Sequence, residues 1–271
     1  MTTRVAVIGA TGKMGRLVSS LIEDTEGYEL VARLDSKSSL SEMLGADVAI
    51  DLTVPGVSQG VVQFAVDNGI RVLVGTSGWS QERIDSLGHS LAGRDDTGVI
   101  IIPNFSIGSV LGSAFAAQAA RFFDSIEIVE AHQAGKVDSP SGTAVRTAEL
   151  IGRARADLGP VSAPHTDQRA RGQQVSSVPV HSLRLEGLLA RQDVFLGGPG
   201  ETLTISHNTL SASAYERGIL LALAATRTAR GVTVGLDRIV DLGLGEAGST
   251  GAPEAADSAA EAEAEDTEAA E

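Results

Sequence analysis

The chain has 271 residues, of which 42% are hydrophobic and 21% charged, and it carries a formal net charge of −14. This length is enough for two domains, and the composition is ordinary for a folded enzyme. The chain has no cysteine, which excludes disulfides, thiolate nucleophiles and cysteine-ligated metal centres. No apolar run reaches the ~18 residues of a membrane span and no signal-peptide pattern is visible, so we expect a cytoplasmic protein without a membrane partner.

Short apolar runs alternate with helical patterns over the first hundred residues. Near-continuous Val and Ile runs between helices are typical of a parallel sheet that is covered on both faces. Right-handed crossovers between such strands predict a doubly wound α/β domain, which we assign to residues 1–104. The predicted strands are residues 4–8, 28–32, 48–52, 71–74 and 99–102, with one helix ending near residue 22 and another at residues 57–68.

The pattern changes after Pro103. Consecutive strands joined by short turns indicate an antiparallel or mixed sheet, so residues 105–215 are predicted to form a second, α+β domain. Residues 216–245, which contain most of the last helix, are expected to return and pack on the first domain. The predicted helices are residues 108–123, 142–158 and 214–230, and the predicted strands are residues 125–131, 178–185, 192–196 and 202–207.

Residues 246–271 are an Ala- and Glu-rich tail that holds nine of the 35 acidic residues and no basic residue. The rest of the chain therefore carries a net charge of only −5, which is not the profile of a nucleic-acid-binding protein. The tail lacks aromatic and large aliphatic side chains, so it cannot bury enough apolar surface to offset the entropy of ordering it. We expect a disordered tail, with partner binding as the alternative role.

A glycine-rich turn follows the first predicted strand. Gly9, Gly12 and Gly15 fit the spacing G-x-x-G-x-x-G directly before a helix. The first glycine permits a tight exit from the strand, the second lets backbone N–H groups approach a pyrophosphate, and the third lets helix and strand pack closely. The helix N-terminus adds positive potential. This context predicts a dinucleotide site, although the spacing departs from the common G-x-G-x-x-G.

Asp35 follows the second predicted strand, where a carboxylate can accept a hydrogen bond from the adenosine ribose of NAD. An acid at this position disfavours the additional phosphate of NADP. Lys13, Arg33 and Lys37 lie close enough in sequence to offset that preference. Use of both NADH and NADPH is therefore our hypothesis.

Three further loops follow strands at the same edge of the predicted sheet. Ligands of open parallel sheets bind beyond the carboxyl ends of the strands. Together the loops are therefore predicted to hold the nicotinamide half of a dinucleotide. The residues concerned are Thr53, Gly75, Thr76, Ser77, Gly78, Pro103, Asn104 and Phe105.

The densest polar segment lies between the first strand of the second domain and the helix that follows it. Ser141 is a good N-cap, which leaves the first-turn N–H groups of Gly142 and Thr143 for an anion such as a carboxylate. Lys136 supplies a positive charge and a possible proton, and His132 can donate a proton or stabilise developing charge. Taken on spacing alone, a capped helix with an incidental lysine and histidine remains the alternative.

This segment, from Glu130 to Ala144, resembles the signature E-x-H-H-x-x-K-x-D-x-P-S-G-T-A of the dihydrodipicolinate reductase family. The glycine turn, the G-T-S-G loop at Gly75 and the P-N-F sequence at Pro103 extend the resemblance over residues 4–245. It implies NADH- or NADPH-dependent reduction of the dehydrated form of 4-hydroxy-tetrahydrodipicolinate, a cyclic imine dicarboxylate on the diaminopimelate route to lysine. It also implies a homotetramer built through open mixed sheets in a substrate-binding and tetramerisation domain at residues 105–215.

The resemblance also implies roles for individual residues. His132 and Lys136 match the catalytic residues. No metal site is implied, and the remaining histidines, His89, His165, His181 and His207, are expected to be structural or exposed. The residues that match substrate-binding positions are Gln133, Lys136, Ser141, Gly142 and Thr143, and those of the glycine turn that match cofactor-binding positions are Gly9, Ala10, Thr11, Gly12, Lys13, Met14 and Gly15.

Two positions depart from the family pattern. Gln133 stands in place of the second histidine, and Ala212 stands where the family has an arginine that helps to hold substrate; Arg217 is a less favoured substitute. A related reductase with a different dicarboxylate substrate is therefore one alternative, and a catalytically silent nucleotide-binding protein is another. In the glycine turn, Thr11 occupies a position where some relatives have a second lysine beside Lys13, which favours NADH slightly.

Overall fold

The computed structural model describes residues 2–240. The predictions for residues 241–271, including the disordered tail at residues 246–271, lie outside that range. Two β-sheets organise the described part of the chain, and each is covered by helices. None of the helices within residues 2–240 combines the length and apolar composition needed to cross a membrane.

The first sheet, sheet A, consists of β1 (Thr3–Ile8), β2 (Tyr28–Leu34), β3 (Val48–Asp51), β4 (Arg71–Val74), β5 (Gly98–Ile101) and β11 (Gly231–Val234). All neighbouring strands are parallel, in the spatial order β11-β5-β4-β3-β1-β2. The chain starts at the inner strand β1, reaches one edge of the sheet at β2 and then crosses back to the other edge, which confirms the predicted doubly wound architecture.

Alternate residues of the sheet A strands face two separate cores, as strand geometry requires. Ala6 and Ile8 of β1 face one core, and Val5 and Val7 face the other. The first core is completed by α2 and α3, and the second by α1 and α6, so the last helix packs on sheet A. These helices are α1 (Lys13–Glu23), α2 (Pro55–Asp67), α3 (Gln81–Ser90) and α6 (Glu216–Thr226).

The second sheet, sheet B, consists of β6 (Ser125–Gln133), β7 (Gln173–Val175), β8 (Val178–Leu185), β9 (Ala190–Gly198) and β10 (Glu201–Thr209). The order is β10-β9-β6-β8-β7, and only the β6–β8 pair is parallel, which confirms a mixed sheet. The helices α4 (Ile107–Ala119) and α5 (Gly142–Ala154) cover one face, where Ile128 and Ile151 are fully buried. Within residues 2–240 the opposite face is open and carries exposed Leu183, Leu185 and Phe195.

Several elements differ from the prediction. The strands β7 and β11 and the helix α3 were not predicted at all. The last helix is shorter than the predicted residues 214–230, because residues 212–215 form a 3-10 turn and the chain beyond Thr226 turns into β11. The helices α4 and α5 also end earlier than predicted. The guanidinium of Arg155, which follows α5, donates to the carbonyl oxygens of Ala120 and Phe123 just after α4 and ties the two helix ends together.

Candidate active site

The glycine turn between β1 and α1 leaves no room for side chains at two positions. Gly9 has a φ of +85°, and an added Cβ there would collide with the carbonyl of Leu52. A Cβ on Gly15 would collide with the carbonyl oxygen of Gly9. Gly12 is the N-cap residue of α1 and provides no side-chain cap, and both Gly12 and Lys13, the first residue of the helix, are exposed. Because the first N–H groups of a helix have no partner within it, this turn fits the pyrophosphate of a dinucleotide.

Asp35 lies at the end of β2, beside the glycine turn. The N–H groups of Gly9 and Ala10 donate to the carbonyl oxygen of the residue before it, Leu34, at 2.9 and 3.0 Å. Asp35 is exposed, and its pKa is lowered chiefly because its carboxylate accepts a hydrogen bond from the backbone N–H of Lys37. An ionised carboxylate therefore lies next to the glycine turn, and Lys37 lies two residues further along the same loop.

The loops after β3 and β4 are joined through Asp51, which is completely buried. Its carboxylate accepts hydrogen bonds from the backbone N–H of Thr53 at 3.1 Å, from the Thr53 hydroxyl at 2.6 Å and from the Ser58 hydroxyl. The Thr76 hydroxyl donates to the carbonyl oxygen of Asp51 at 3.3 Å. Thr53 and Thr76 thus help to shape this sheet edge. Asp51 was not predicted as a site residue.

The remaining predicted cofactor residues lie along the same edge of sheet A. A Cβ added to Gly75 would lie 2.8 Å from the ring of Phe105, so the loops after β4 and β5 touch there. Ala10, Thr76 and Phe105 are buried, Met14, Gly75 and Asn104 are partly buried, and Thr11, Lys13, Ser77, Gly78 and Pro103 are exposed.

Asn104 connects the end of β5 to the start of α5. Its side-chain amide donates to the hydroxyls of Thr143 and Ser109, both at 3.1 Å, and its side-chain oxygen accepts from the N–H of Ser106 at 2.8 Å. The first turn of α5 is capped by Ser141, whose hydroxyl accepts from a backbone N–H of that turn, so the predicted N-cap is confirmed. The predicted carboxylate-binding turn therefore lies directly at the carboxyl edge of sheet A.

Glu130 and His132 lie two residues apart on β6 and face the same side. The Glu130 carboxylate is fully buried and lies 2.5 Å from Nδ1 of His132. Arg184 of β8 donates two hydrogen bonds to it, both at 3.0 Å. Burial alone raises the pKa of Glu130, but hydrogen bonds from His132, Arg184 and Ser182 outweigh it and lower the pKa to about 2. An ionised carboxylate therefore holds Nδ1 as a donor and leaves Nε2 for the cleft.

Arg184 also fixes the loop that carries Lys136. Its guanidinium donates to the carbonyl oxygens of Lys136 at 3.3 Å and Asp138 at 2.6 Å. The Lys136 ammonium pairs with the Asp138 carboxylate at 2.7 Å. Burial raises the pKa of Asp138, but the hydrogen bond from Lys136 contributes to a net lowering. Lys136 and Asp138 thus form an ion pair in the loop between β6 and α5.

A narrow cleft brings part of the predicted site together. It is lined by Asn104, His132, Ser141 and Thr143, and it also contains His207 and Gln192, which sequence reasoning missed. His207 was expected to be structural or exposed, but the structure places it in the cleft wall. Its Nε2 lies 3.1 Å from the Ser106 hydroxyl, and burial lowers its pKa.

Gln133 and Ala212 lie apart from the group formed by His132, Ser141 and Thr143. Gln133 is the last residue of β6, opposite Leu185, and strand alternation places it on the open face of sheet B. Ala212 begins the exposed 3-10 turn after β10. Arg217 is exposed near the start of α6.

Comparisons with known proteins identify the family to which the chain belongs. Residues 3–105 match the family described as dihydrodipicolinate reductase, N-terminus, and residues 108–240 match dihydrodipicolinate reductase, C-terminus. The chain is 67% identical to a 4-hydroxy-tetrahydrodipicolinate reductase from Clavibacter sepedonicus over 242 residues, which cover 89% of this chain and 87% of the relative. It is 47% identical to the enzyme of that name from Streptomyces griseus over 247 residues, which cover 88% and 98%. A dipicolinate-bound dihydrodipicolinate reductase from Paenisporosarcina sp. TG-14 superimposes with a TM-score of 0.74 at 31% identity and covers 89% of this chain and 100% of its own. The chain belongs to the dihydrodipicolinate reductase family.

Proposed function

We propose that the chain catalyses the family reaction, the NAD(P)H-dependent reduction of the dehydrated form of 4-hydroxy-tetrahydrodipicolinate to tetrahydrodipicolinate, in the diaminopimelate route to lysine. The observation that carries the proposal is the hydrogen bond from Asn104 to Thr143. It joins the edge of sheet A, where a dinucleotide fits, to the capped helix turn that suits a carboxylate. A cofactor on one side and a dicarboxylate on the other then meet in one cleft.

The substrate would be held at the start of α5. Ser141 is buried and its hydroxyl is committed to capping the helix, so its role is to shape the turn. Gly142 is exposed, and an added Cβ there meets no atom within 4 Å, so a ligand can approach its N–H. The Thr143 hydroxyl accepts from Asn104, which leaves its hydrogen to donate to a carboxylate. Lys136 adds the positive charge that a dianionic ligand requires.

The chemistry needs a hydride and a proton. A bound NADH or NADPH supplies the hydride to C4 of the conjugated ring, and the electron pair displaced from the ring double bond takes up the proton. His132 can deliver that proton from Nε2, while Glu130 accepts from Nδ1 and balances the positive charge of the doubly protonated ring. Lys136 can deliver the proton or anchor a carboxylate. The ring would gain one hydride and one proton, and a bound nicotinamide cofactor would supply the two electrons of the hydride.

Both nicotinamide cofactors fit the residues around the glycine turn. Asp35 provides the acceptor for a ribose hydroxyl, whereas Lys13 and Lys37 are exposed and close enough in sequence to meet an additional phosphate. Arg33 is engaged with Glu23 at 2.5 Å. We propose dual use of NADH and NADPH with a slight preference for NADH, which comparison of kcat/KM for the two cofactors would test. A thousandfold preference for either one would contradict it.

We further propose that residues 105–215 carry substrate binding and assembly into a homotetramer, while residues 1–104 bind the dinucleotide. Support comes from the open face of sheet B, which exposes Leu183 and Leu185 on β8 and Phe195 on β9. Apolar side chains of this kind are typical of a surface that another subunit covers. Sedimentation equilibrium of the full chain would give four times the mass of one chain, and a monomer would contradict the proposal.

The function is tested with purified protein and substrate generated by a coupled synthase. We expect the absorbance of NADH and NADPH to fall only when the synthase is active. His132→Gln, which keeps hydrogen-bonding capacity but loses the positive form, should lower kcat about 100-fold or more. His89→Gln on the exposed part of α3 is the matched control and should leave kcat unchanged. Absence of turnover with both cofactors would defeat the proposal.

A further inference from the structure

Gln192 lies in a polar row that crosses three strands of sheet B. In the strand register it stands opposite Glu130 of β6 and opposite His207 of β10. Opposed residues share a face of the sheet, so Gln192 lies on the same side as His132, and it lines the same cleft. Its side chain is well shielded, because the residue is only 8% exposed.

The orientation of the Gln192 amide is set by hydroxyl groups on the helices behind it. The Thr147 hydroxyl lies 2.9 Å from the carbonyl oxygen of Thr143, which can only accept, so the hydroxyl donates there. The Thr147 oxygen must then accept from its other neighbours, the Ser113 hydroxyl at 2.7 Å and Nε2 of Gln192 at 3.0 Å. The amide nitrogen of Gln192 is thereby committed to α5, and its oxygen is free to accept from another donor.

The oxygen, Oε1, is buried and has no hydrogen-bond partner within residues 2–240. A buried acceptor without a donor is costly, so such a group at the wall of a binding cleft is suited to a ligand that brings the donor. The two carboxylates of the proposed substrate class only accept hydrogen bonds. Within the proposed substrate the donor must therefore be carried by the ring itself, and in a cyclic imine the ring nitrogen becomes a donor when it is protonated.

We infer that Oε1 of Gln192 accepts a hydrogen bond from the protonated ring nitrogen of the bound dicarboxylate. This role rests on the proposed function and deepens it. Protonation of an imine makes the conjugated ring a better hydride acceptor, and the carbonyl dipole of Gln192 stabilises that charge in a shielded site. Gln192 would thus distinguish a protonated cyclic imine from a ring that cannot donate, a distinction that the carboxylate contacts on α5 cannot make.

Two dicarboxylates that differ in the ring donor test the inference. Piperidine-2,6-dicarboxylate carries an N–H donor, whereas pyridine-2,6-dicarboxylate carries only a ring acceptor. Their affinities are measured by calorimetry on the full chain saturated with NADH. Gln192→Met keeps a similar volume and removes the amide. It should weaken binding of the piperidine ligand about tenfold, the effect of one hydrogen bond of about 1.4 kcal/mol, and change binding of the pyridine ligand less than about twofold.

A matched control is Gln174→Met on the exposed edge strand β7, which should leave both affinities unchanged. Thr147→Val offers a second test, because it frees the amide of Gln192 to rotate and should reduce the preference for the piperidine ligand without removing the side chain. NADH affinity and circular dichroism verify that each variant is folded.

The outcomes distinguish failure of the inference about Gln192 from failure of the proposed function. If Gln192→Met lowers the affinity for both ligands equally, the amide nitrogen rather than the oxygen faces the cleft and binds a carboxylate, which overturns the inference. Unchanged affinity for both ligands, or failure of the wild-type chain to bind the piperidine ligand while it binds the pyridine ligand, overturns it as well. Failure of the wild-type chain to bind either ligand would instead contradict the proposed function.

Discussion

Replacement of Glu130 by glutamine should destabilise the protein strongly at neutral pH and less in acid. The pKa of Glu130 is lowered from its usual 4.5 to about 2 by hydrogen bonds that include those from His132 and Arg184. Each tenfold change in a dissociation constant is worth about 1.4 kcal/mol, so the ionised group contributes about 3 kcal/mol to folding. Breaking a buried ion pair typically costs about as much. The Glu130→Gln variant keeps the shape of the side chain, so the loss reports on the charge.

The pH dependence has a definite sign. The folded state holds the proton less tightly than the unfolded chain, so the stabilisation is complete above about pH 4.5 and is lost as the pH falls towards 2. Urea unfolding of the wild-type chain and of Glu130→Gln should therefore differ by about 3 kcal/mol at pH 7 and by only about 1 kcal/mol at pH 3. Glu149→Gln removes a charge from partly exposed pairs at 3.7 and 3.9 Å on α5 and should cost at most about 1 kcal/mol. If Glu130→Gln costs no more than Glu149→Gln, or if its cost does not fall with pH, the reasoning is refuted.

Three other substitutions test separate parts of the site. Lys136→Ala should lower kcat about 10²- to 10⁴-fold, as expected for a lost proton donor. Asp138→Asn removes only the exposed ion-pair partner of Lys136 and should change kcat by less than about threefold. Similar effects of the two substitutions on kcat would count against a catalytic lysine. Gly15→Ala should weaken NADH binding at least about tenfold, because its Cβ would collide with the glycine turn. Gly60→Ala is the control, since an added Cβ there meets no atom within 4 Å, and it should leave the Kd for NADH unchanged. A fluorescence titration that finds a normal Kd for both variants would contradict the close packing at Gly15. Asn104→Ala should raise the KM for the dicarboxylate about five- to tenfold through the loss of its hydrogen bond to the start of α5, and an unchanged KM would show that this link does not position the substrate.

Features with a strong local signal could be predicted from the sequence. The apolar runs of β1 and β3 to β5 predict buried parallel strands because every residue of such a strand faces a core. Glycine is required at positions 9 and 15 because other backbone atoms lie too close for a Cβ, and Ser141 caps α5 with its own hydroxyl. Each of these features can be recognised from a short stretch of sequence.

Features that depend on contacts between distant residues could not be predicted in the same way. The β11 segment, Gly231–Val234, has only four residues and becomes a strand because it lies beside β5. Arg184 is 54 residues from Glu130 along the chain, and no spacing rule joins them. The positions of Gln192 and His207 in the cleft likewise follow from strand register, which brings β9 and β10 beside β6.

The central claim is that a dinucleotide on the edge of sheet A faces a dicarboxylate held by the first turn of α5. A crystal structure of the full chain with NADH and pyridine-2,6-dicarboxylate tests it most directly. We predict one carboxylate within about 3 Å of the N–H groups of Gly142 and Thr143, and the pyridine ring stacked within about 3.5 Å of the nicotinamide. A dicarboxylate bound on the open face of sheet B near Gln133, or a nicotinamide directed away from α5, would contradict the account.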